Sequence, residues 1–269
     1  MRASLLATTL RPPDITMIAS SSLTPRQVRD FHLDGYLRLE QFLTSTELRI
    51  MRQVYDEWIL TQKADSSISF VELAADVPEL RVCQFRERAL EIVRTLIGDE
   101  AKQGAEKFMY RPPEHEVPTP WHQDWAFGSP NHVGFRINFW IPLQETGTDG
   151  GCLWYLPGSH QQDILPHRNR ADITPGHQKD VDMEATPGLF DEEQAVPMIL
   201  PAGGAAIHLG NTLHMARPNC SGEPRRAYVL SFGGRMFARW MQKPFERWPW
   251  MEERREVAGA KGEKASKTN

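Results

Sequence analysis

Cysteine is scarce in this sequence of 269 residues, which contains only three. Cys83, Cys152 and Cys220 are too few, and odd in number, to form the disulfide framework of a small secreted domain. They favour a reducing compartment, and we predict that the protein works in the cytoplasm. A chain of this length can bury one large core and needs no covalent cross-links for stability.

The sequence also lacks a strong charge excess and a long apolar run. Its 31 basic and 35 acidic residues give a formal net charge of −4, which argues against an electrostatic contact with nucleic acid. No apolar stretch approaches the roughly 20 residues that cross a bilayer. We therefore expect neither nucleic acid nor a membrane as partner, and the sequence leaves the oligomeric state open.

Acidic residues are missing before Asp14, and the first segment is rich in serine and threonine. We predict that residues 1–22 form a disordered tail; the alternatives are a targeting peptide for a mitochondrion or another organelle, or translation that starts at Met17. Residues 251–269 are dense in charge and predict a second disordered tail. Residues 23–250 between them are expected to form one domain.

Capping signals mark two helices in the N-terminal third. Thr24 precedes Pro25, and Gln27 follows at the third helical position, a pattern that predicts a helix to about residue 33. Thr44 and Glu47 form a second capping box before an amphipathic stripe. With a strand over 36–42 and one or two further helices over 71–98, residues 23–105 predict a mainly helical buttress.

From about residue 106 the sequence changes to short β-prone runs separated by proline, glycine and aspartate. Several short strands with turn residues between them predict a double-sheet jelly roll, the cupin-like double-stranded β-helix, over 106–235. The predicted class is thus mainly β with a helical buttress, and 236–250 would be a C-terminal packing segment. A polar insertion at 163–196 could cover the cavity mouth. The clearest runs are 108–111, 134–142, 151–157, 198–200, 205–209 and 226–232.

His122 and Asp124 form the most informative motif. Two residues that are two apart on a β-strand project from the same face, so this pair could offer one metal ion an imidazole nitrogen and a carboxylate oxygen. A second histidine from a distant strand would complete the 2-His-1-carboxylate triad of non-heme Fe(II) oxygenases. The candidates for that histidine are His214 and His208.

Four segments resemble the phytanoyl-CoA dioxygenase-like (PhyH) family of Fe(II)/2-oxoglutarate oxygenases in their order and spacing. They are Trp-His-Gln-Asp at 121–124, Phe-Trp-Ile-Pro-Leu at 139–143, the Gly-Gly-Cys-Leu to Pro-Gly-Ser-His run at 150–160, and His214 followed by Arg225. The resemblance covers roughly residues 24–235 and implies a jelly roll with His122, Asp124 and His214 as iron ligands. The same spacing favours His214 over His208.

The resemblance also implies where 2-oxoglutarate binds. Arg225 stands at the family's position for the arginine that contacts the far carboxylate, and a guanidinium fork suits that group. Trp140 corresponds to an aromatic residue beside the cosubstrate, and Lys107 to a basic residue near it; Arg111 has the same strand parity as Lys107. The family often has serine where this chain has Ala216, and one lost neutral hydrogen bond costs about 0.5–1.5 kcal/mol.

Strand alternation adds an inference about the substrate. Arg136, Asn138 and Trp140 share one face of a predicted strand, and Ile137 and Phe139 share the other. If Trp140 lines the cavity, Arg136 and Asn138 also point into it. We predict that one or both bind the primary substrate, although an arginine held by a structural carboxylate would give the same pattern.

These observations predict a dioxygenase that oxidises, most simply hydroxylates, a small organic molecule. The resemblance implies Fe(II), 2-oxoglutarate and O₂ as cofactor and cosubstrates, with conversion to succinate and CO₂. Desaturation, epoxidation or ring formation would use the same site. Two alternatives remain: a cupin-type metalloenzyme that does not use 2-oxoglutarate, and a catalytically silent relative that binds metal or ligand.

Overall fold

Two facing β-sheets and three helices form the protein in a computed structural model, which describes residues 22–61, 69–72, 77–127, 132–133, 135–169, 183–234 and 237–238. The predicted tails except residue 22, and all but two residues of the predicted segment 236–250, lie outside these ranges. None of the helices in the described ranges is long and apolar enough to cross a membrane. The helices are α1 (Pro25–Asp34), α2 (Ser45–Thr61) and α3 (Phe85–Ile97).

The strands are short, as the turn-rich sequence predicts. They are β1 (Tyr36–Leu39), β2 (Ser69–Glu72), β3 (Lys102–Arg111), β4 (Thr119–His122), β5 (His132–Val133), β6 (Arg136–Pro142), β7 (Leu153–Tyr155), β8 (His167–Asn169), β9 (Met183–Ala185), β10 (Val196–Met198), β11 (Ala205–Leu209), β12 (His214–Ala216), β13 (Arg225–Gly233) and β14 (Phe237–Ala238).

Ten strands build the two main sheets of a jelly roll. The large sheet has the order β1-β11-β6-β13-β3-β2, and the small sheet has the order β10-β7-β12-β4. All named strand pairs are antiparallel. The remaining strands form two separate two-stranded sheets, β5 with β14 and β8 with β9. The predicted fold class is confirmed.

Both predicted capping boxes are present. Thr24 and Gln27 exchange side-chain to backbone hydrogen bonds at the start of α1. Thr44 and Glu47 do the same before α2, with N···O distances of 2.9 and 3.1 Å. Gly35 ends α1 in the left-handed region, at φ 84°, where glycine avoids the steric cost of a Cβ. These local signals positioned the helix starts correctly.

The helices cover the outer face of the large sheet. Alternate residues of β6 and β13 point toward them and share one core with α1, α2 and α3; this outer core includes Phe31, Phe42, Met51, Tyr55, Phe85, Ile92, Phe108, Ile137, Phe139, Ile141, Tyr228, Leu230 and Phe232. The intervening residues of β6 and β13 point between the two sheets, where they pack with residues of the small sheet and of β11. This inter-sheet cluster includes Trp140, Leu153, Tyr155, Met198, Leu200, Ala206, Ala216 and Ala227. The alternation predicted for β6 is therefore confirmed.

Three predicted segments differ from the structure. The strand predicted over 36–42 ends at Leu39, because Phe42 and Leu43 both turn their N–H groups to the carbonyl of Gly203. Residues 71 and 72 belong to a strand, not to a helix, since β2 pairs with β3 at the sheet edge. Strand β3 begins before residue 106, because its pairing with β13 continues through polar, exposed residues to Lys102.

The described flanks of the polar insertion contain regular strands. Strands β8 and β9 pair with each other, residues of these flanks pack on the outer face of the small sheet, and Val196 begins β10 at the edge of that sheet. Trp121, which alternates with the inward-facing His122, contacts Phe190 at a ring distance of 5.7 Å. Its indole N–H donates to Glu192 at 3.0 Å. The described flanks thus buttress the small sheet; residues 170–182 lie outside the described ranges.

Candidate metal and cosubstrate site

Two histidines and one aspartate converge between the sheets. His122 ends β4, His214 begins β12, and the two are directly paired across the small sheet. The Oδ1 atom of Asp124 lies 3.6 Å from Nε2 of His122 and 3.8 Å from Nε2 of His214. One ligand atom from each residue lies within 4.8 Å of the other two. Among the described residues, this is the cluster that could hold a metal ion.

Backbone carbonyls fix the orientation of both imidazole rings. Nδ1 of His122 lies 2.8 Å from the carbonyl of Pro120, and Nδ1 of His214 lies 2.9 Å from that of Thr212. Each carbonyl can only accept, so each Nδ1 carries the proton. The lone pair of Nε2 is then directed into the cluster, the arrangement that metal-binding histidines use.

Asp124 does not lie on the same strand as His122, although the alternation argument from the sequence assumed that it does. Strand β4 ends at His122, and Asp124 opens a 3-10 turn. Two residues of the large sheet hold its Oδ2 atom instead: the amide of Asn138 donates to it, and Nε2 of His208 lies 3.0 Å away. Oδ1 is thereby left facing His122 and His214. The structure brings the three predicted residues together, but not through the strand alternation that the sequence analysis assumed.

His208, the other candidate for the third metal ligand, is hydrogen-bonded to Asp124. The hydroxyl of Tyr155 lies 2.8 Å from Nδ1 of His208. If Tyr155 donates this bond, Nε2 carries the proton of the neutral ring and donates to Asp124. A protonated Nε2 has no lone pair for a metal. Tyr155 and the role of His208 were missed, because no sequence pattern indicates partners 31 and 84 positions from Asp124.

The electrostatics suit a metal site. Burial raises the pKa of Asp124, but the neighbouring His214, His122 and His208 together hold that pKa well below its usual value. Burial and the nearby His122 hold the pKa of His214 well below its usual value. A charged carboxylate and a neutral imidazole are the protonation states that bind a cation.

Arg225 lies between the sheets with most of its donors unused. Its side chain is buried, and its guanidinium carbon lies 5.6 Å from the centre of the Trp140 ring. Nη1 donates to the carbonyl of Gly151 at 2.6 Å, whereas Nε and Nη2 have no hydrogen-bond partner among the described residues. The indole N–H of Trp140 is likewise unmatched there. Burial lowers the pKa of Arg225 to about 10.

The neighbouring arginine has a different environment. Arg226 points to the helices, where it donates to Asp56 at 3.0 Å and lies 5.9 Å from the Tyr55 ring centre. Strand parity therefore separates an inward arginine from an outward one, as the sequence predicts. An inward guanidinium with two unmatched nitrogens, Nε and Nη2, fits an anionic ligand.

The other predicted site residues share the inner face of the large sheet. Lys107 is in register with Val229, which is in register with Trp140. Asn138 has its amide nitrogen on Asp124, and its Oδ1 has no donor among the described residues. Arg136 begins β6, and its stem passes over Gly210, where a Cβ would lie 3.0 Å from the Cβ of Arg136.

A jelly roll with an inward His-Asp-His cluster beside a buried arginine defines the class of iron- and 2-oxoglutarate-dependent oxygenases. The family model for phytanoyl-CoA dioxygenase (PhyH) matches residues 31–227, and the chain belongs to this family.

Related proteins agree with this assignment. The crystal structure of EvdO2 from Micromonospora carbonacea var. aurantiaca is 28% identical, with a TM-score of 0.72 over 85% of this chain and 97% of that one. EvdO2 complexed with 2-oxoglutarate matches with a TM-score of 0.67. A phytanoyl-CoA dioxygenase of Arabidopsis thaliana is 24% identical over 78% of this chain and 89% of its own length. A probable alpha-ketoglutarate-dependent hypophosphite dioxygenase of Stutzerimonas stutzeri is 28% identical over 54% of this chain, but the match spans only 50% of that protein.

Proposed function

We propose that the protein is an Fe(II)/2-oxoglutarate-dependent dioxygenase that hydroxylates a small organic molecule. One observation carries the proposal: the His122, Asp124 and His214 cluster opens into the same inter-sheet space as an arginine, Arg225, that has no acidic partner in the described part of the chain. A metal cluster alone would suit many enzymes. A buried cation beside it favours an anionic cosubstrate.

The donor set of the cluster fits Fe(II). Two imidazole nitrogens and one carboxylate oxygen form the facial triad of non-heme iron oxygenases, which leaves positions open for other ligands. In the proposed site His122 and His214 would hold the metal through Nε2, and Asp124 would hold it through Oδ1. Asn138 and His208 hold the other carboxylate oxygen, so Asp124 is oriented before the metal arrives.

The inner face of the large sheet fits 2-oxoglutarate. Arg225 would donate to the far carboxylate through Nε and Nη2, the two groups left unmatched. Trp140 would pack beside the cosubstrate and offer its indole N–H, and Lys107 would contribute positive charge from the same face. The relative EvdO2, whose structure was determined with 2-oxoglutarate, supports this cosubstrate.

When bound, iron with 2-oxoglutarate and O₂ supplies the oxidising power and yields succinate and CO₂. The chain's own residues orient these groups and keep water from them. Trp140, Tyr155 and Ala216 are buried between the sheets and give the cavity apolar walls. A dry cavity strengthens each charge interaction within it.

The primary substrate would approach along the start of β6. Asn138 could accept a hydrogen bond through its unmatched Oδ1, and Arg136 lies two residues further from Trp140 on the same face. Phe127, which is half exposed, lies 5.8 Å from the His122 ring and would form an apolar part of the mouth. A small molecule with an apolar body and a polar or anionic group fits these contacts. The three free cysteines favour action in the cytoplasm.

An anaerobic titration tests the proposed function. Fe(II) and then 2-oxoglutarate are added to purified apoprotein while the visible charge-transfer absorption of chelated 2-oxoglutarate is recorded. We expect the band in the wild type and in His115→Ala, a histidine outside the cluster, and no band in His214→Ala. Iron binding without a band would favour the cupin-type enzyme that does not use 2-oxoglutarate. A wild type that binds no iron would contradict the proposal and favour a silent relative.

A further inference from the structure

Strand β6 begins with two polar side chains on the face that lines the space between the sheets. Asn138 and Trp140 both face that space, and Arg136 has the same parity on the same strand. Trp140 and Asn138 are 2% and 4% exposed, whereas Arg136 is only half-buried. The inter-sheet space is therefore closed at Trp140 and opens toward solvent at Arg136.

The amide of Asn138 leaves a buried acceptor without a donor. As a carboxylate, Asp124 can only accept, so the amide nitrogen of Asn138 faces it and Oδ1 points elsewhere. Oδ1 is buried, and it has no hydrogen-bond donor among the residues that the structure describes. Such an acceptor destabilises the folded protein unless a donor reaches it. A hydroxyl or N–H group of a ligand would supply that donor beside the metal cluster.

A glycine flanks Arg136 on each neighbouring strand. Gly233 on β13 is in direct register with Arg136, and the N–H of Gly210, which follows β11, donates to the Arg136 carbonyl at 2.7 Å. A Cβ at Gly210 would lie 3.0 Å from the Cβ of Arg136, so the arginine stem lies on that side. Within the described ranges, a Cβ at Gly233 would meet only the carbonyl of Phe135, at 3.6 Å. Space beside Arg136 is therefore left on the side of Gly233.

The charge of Arg136 has no acidic partner in the part of the chain that the structure describes. Two other arginines on strands do have one: Arg168 lies 2.8 Å from Glu184, and Arg226 lies 3.0 Å from Asp56. A guanidinium offers a planar set of donors that matches a carboxylate or another oxyanion. An arginine at the opening of a binding space, with room beside it and no acid, therefore suits the anionic group of a ligand.

The two polar groups lie at different depths. Asn138 contacts Asp124 through its amide, whereas Arg136 lies two residues, or about 7 Å, further along the strand. The stem of Arg136 passes over Gly210, whose carbonyl accepts from the N–H of Trp125 at 2.8 Å. The arginine thus lies beside the turn that begins at Asp124. One small molecule can therefore contact both groups, with its hydrogen-bond donor deeper than its anionic group.

We propose that the primary substrate is a small organic acid that also carries a hydroxyl or N–H group. Its anionic group binds Arg136, and its hydroxyl or N–H group donates to Oδ1 of Asn138. The carbon atoms beside that donor lie nearest to the metal cluster, and the acidic group lies farthest from it. This inference rests on the proposed function and names its substrate class. The competing explanation is that Arg136 pairs with an acidic residue outside the described ranges, in which case the opening has no preference for an anion.

Three probes with the same carbon chain separate the two explanations. 4-Hydroxybutanoate has both groups, butanoate lacks the hydroxyl, and 4-hydroxybutanamide lacks the charge. Each is added in excess to protein that is loaded with Mn(II) and saturated with 2-oxoglutarate, and NMR measures how much Mn(II) accelerates the relaxation of the probe protons. We expect the acceleration for 4-hydroxybutanoate to exceed that for the amide by about tenfold or more, and that for butanoate by about 2–10-fold.

Two variants assign the preference to one residue. Arg136→Met and the outer-face control Arg226→Met are measured beside the wild type. The preference for the acid over the amide should fall to within about twofold in Arg136→Met and persist in Arg226→Met. Protons on the hydroxyl-bearing carbon should relax faster than those beside the carboxylate, since they lie nearer to Mn(II). The reverse order would mean that the carboxylate binds the metal itself, and it would overturn the inference.

The remaining results bear on two different claims. Equal acceleration for the acid and the amide in the wild type, or an acid preference that survives in Arg136→Met, would overturn the inference and leave the proposed function intact. If Arg136→Met does not fold, the comparison of the three probes in the wild type still decides, because it needs no variant. A wild type that binds neither Mn(II) nor 2-oxoglutarate before a probe is added would contradict the proposed function, and this inference with it.

Discussion

On the helix-covered side of the large sheet, arginines of α3 pair with glutamates; on the inner face of that sheet, two buried arginines have no acidic partner within the described ranges. Arg88 of α3 lies 2.5 Å from Glu47, and Arg86 lies 2.6 Å from Glu106. Arg111 and Arg225 of the inner face donate only to carbonyls and a hydroxyl. Arginines on one side of the sheet thus have acidic partners within the protein, whereas those on the other side do not.

The difference indicates on which face the protein itself supplies the partners of its buried charges. A buried ion pair with satisfied hydrogen bonds holds its surroundings in place. Removal of one partner leaves the other charge buried and uncompensated, which destabilises the folded protein. A buried cation without an anion lowers the stability of the folded protein, and an anionic ligand that binds beside it can restore that stability. We therefore expect the outer face to stabilise the fold and the inner face to bind an anionic ligand.

The largest expected effect is on the outer face. Arg88→Ala should lower the free energy of unfolding by about 3–5 kcal/mol, because Glu47 would stay buried without its partner. Glu47 also accepts from the backbone N–H of Gln84 and of Thr44, so it cannot easily turn to solvent. Urea denaturation followed by circular dichroism measures this. A loss below about 1 kcal/mol would mean that the outer pair does not stabilise the fold.

The corresponding substitution on the inner face should not destabilise the apoprotein but should remove its stabilisation by 2-oxoglutarate. Arg225→Leu removes a buried charge that has no ion partner in the described structure, so we expect the free energy of unfolding of the apoprotein to stay unchanged or to rise by about 1 kcal/mol. The stabilisation that 2-oxoglutarate gives the wild type should disappear in this variant. Thermal unfolding with and without 2-oxoglutarate measures both quantities. A marked destabilisation of the apoprotein would assign Arg225 to the fold and not to a ligand.

The residues that orient Asp124 should have an intermediate effect on metal binding. His208→Phe keeps a ring in the space but removes the bond to Oδ2, and we expect the affinity for Fe(II) to fall about 10–100-fold. Tyr155→Phe, which removes only the hydroxyl on His208, should give a smaller loss. Competition with a chelating dye measures both affinities. A His208→Phe variant that binds no metal at all would return His208 to the list of direct ligands.

The smallest effect is expected where a hydroxyl is restored. Ala216→Ser should tighten the binding of 2-oxoglutarate by about 10-fold or less, the gain of one neutral hydrogen bond. Anaerobic titration of 2-oxoglutarate into the wild type and the variant measures this gain. An affinity that is unchanged or weaker in Ala216→Ser would show that a hydroxyl at position 216 does not reach the cosubstrate.

Local chemistry made much of this architecture predictable. The capping residues Thr24 and Thr44 act on their own backbone neighbours, and strand parity assigns opposite faces to Arg225 and Arg226 without knowledge of the fold. The proposed ligand set of His122, Asp124 and His214 follows from a family pattern that the chain retains, and the structure brings these residues together. Each of these inferences needed only neighbouring residues or a known spacing.

What escaped prediction depends on contacts between distant strands. The convergence of Asp124 on the metal site is set by Asn138 and His208 of the large sheet, which no local pattern connects to it. Strand β2 forms because an edge position on β3 is open to it, which outweighs the helical tendency of its surroundings.

Calorimetric titration of 2-oxoglutarate into protein loaded with Mn(II) under anaerobic conditions tests the contrast between the two faces most directly. The wild type, Arg225→Leu and Arg226→Leu are compared, since the two arginines are adjacent in sequence and lie on opposite faces. Our account predicts one 2-oxoglutarate per chain for the wild type and Arg226→Leu, and a loss of about 100-fold or more in affinity for Arg225→Leu. Equal affinity in all three proteins, or a loss confined to Arg226→Leu, would contradict it.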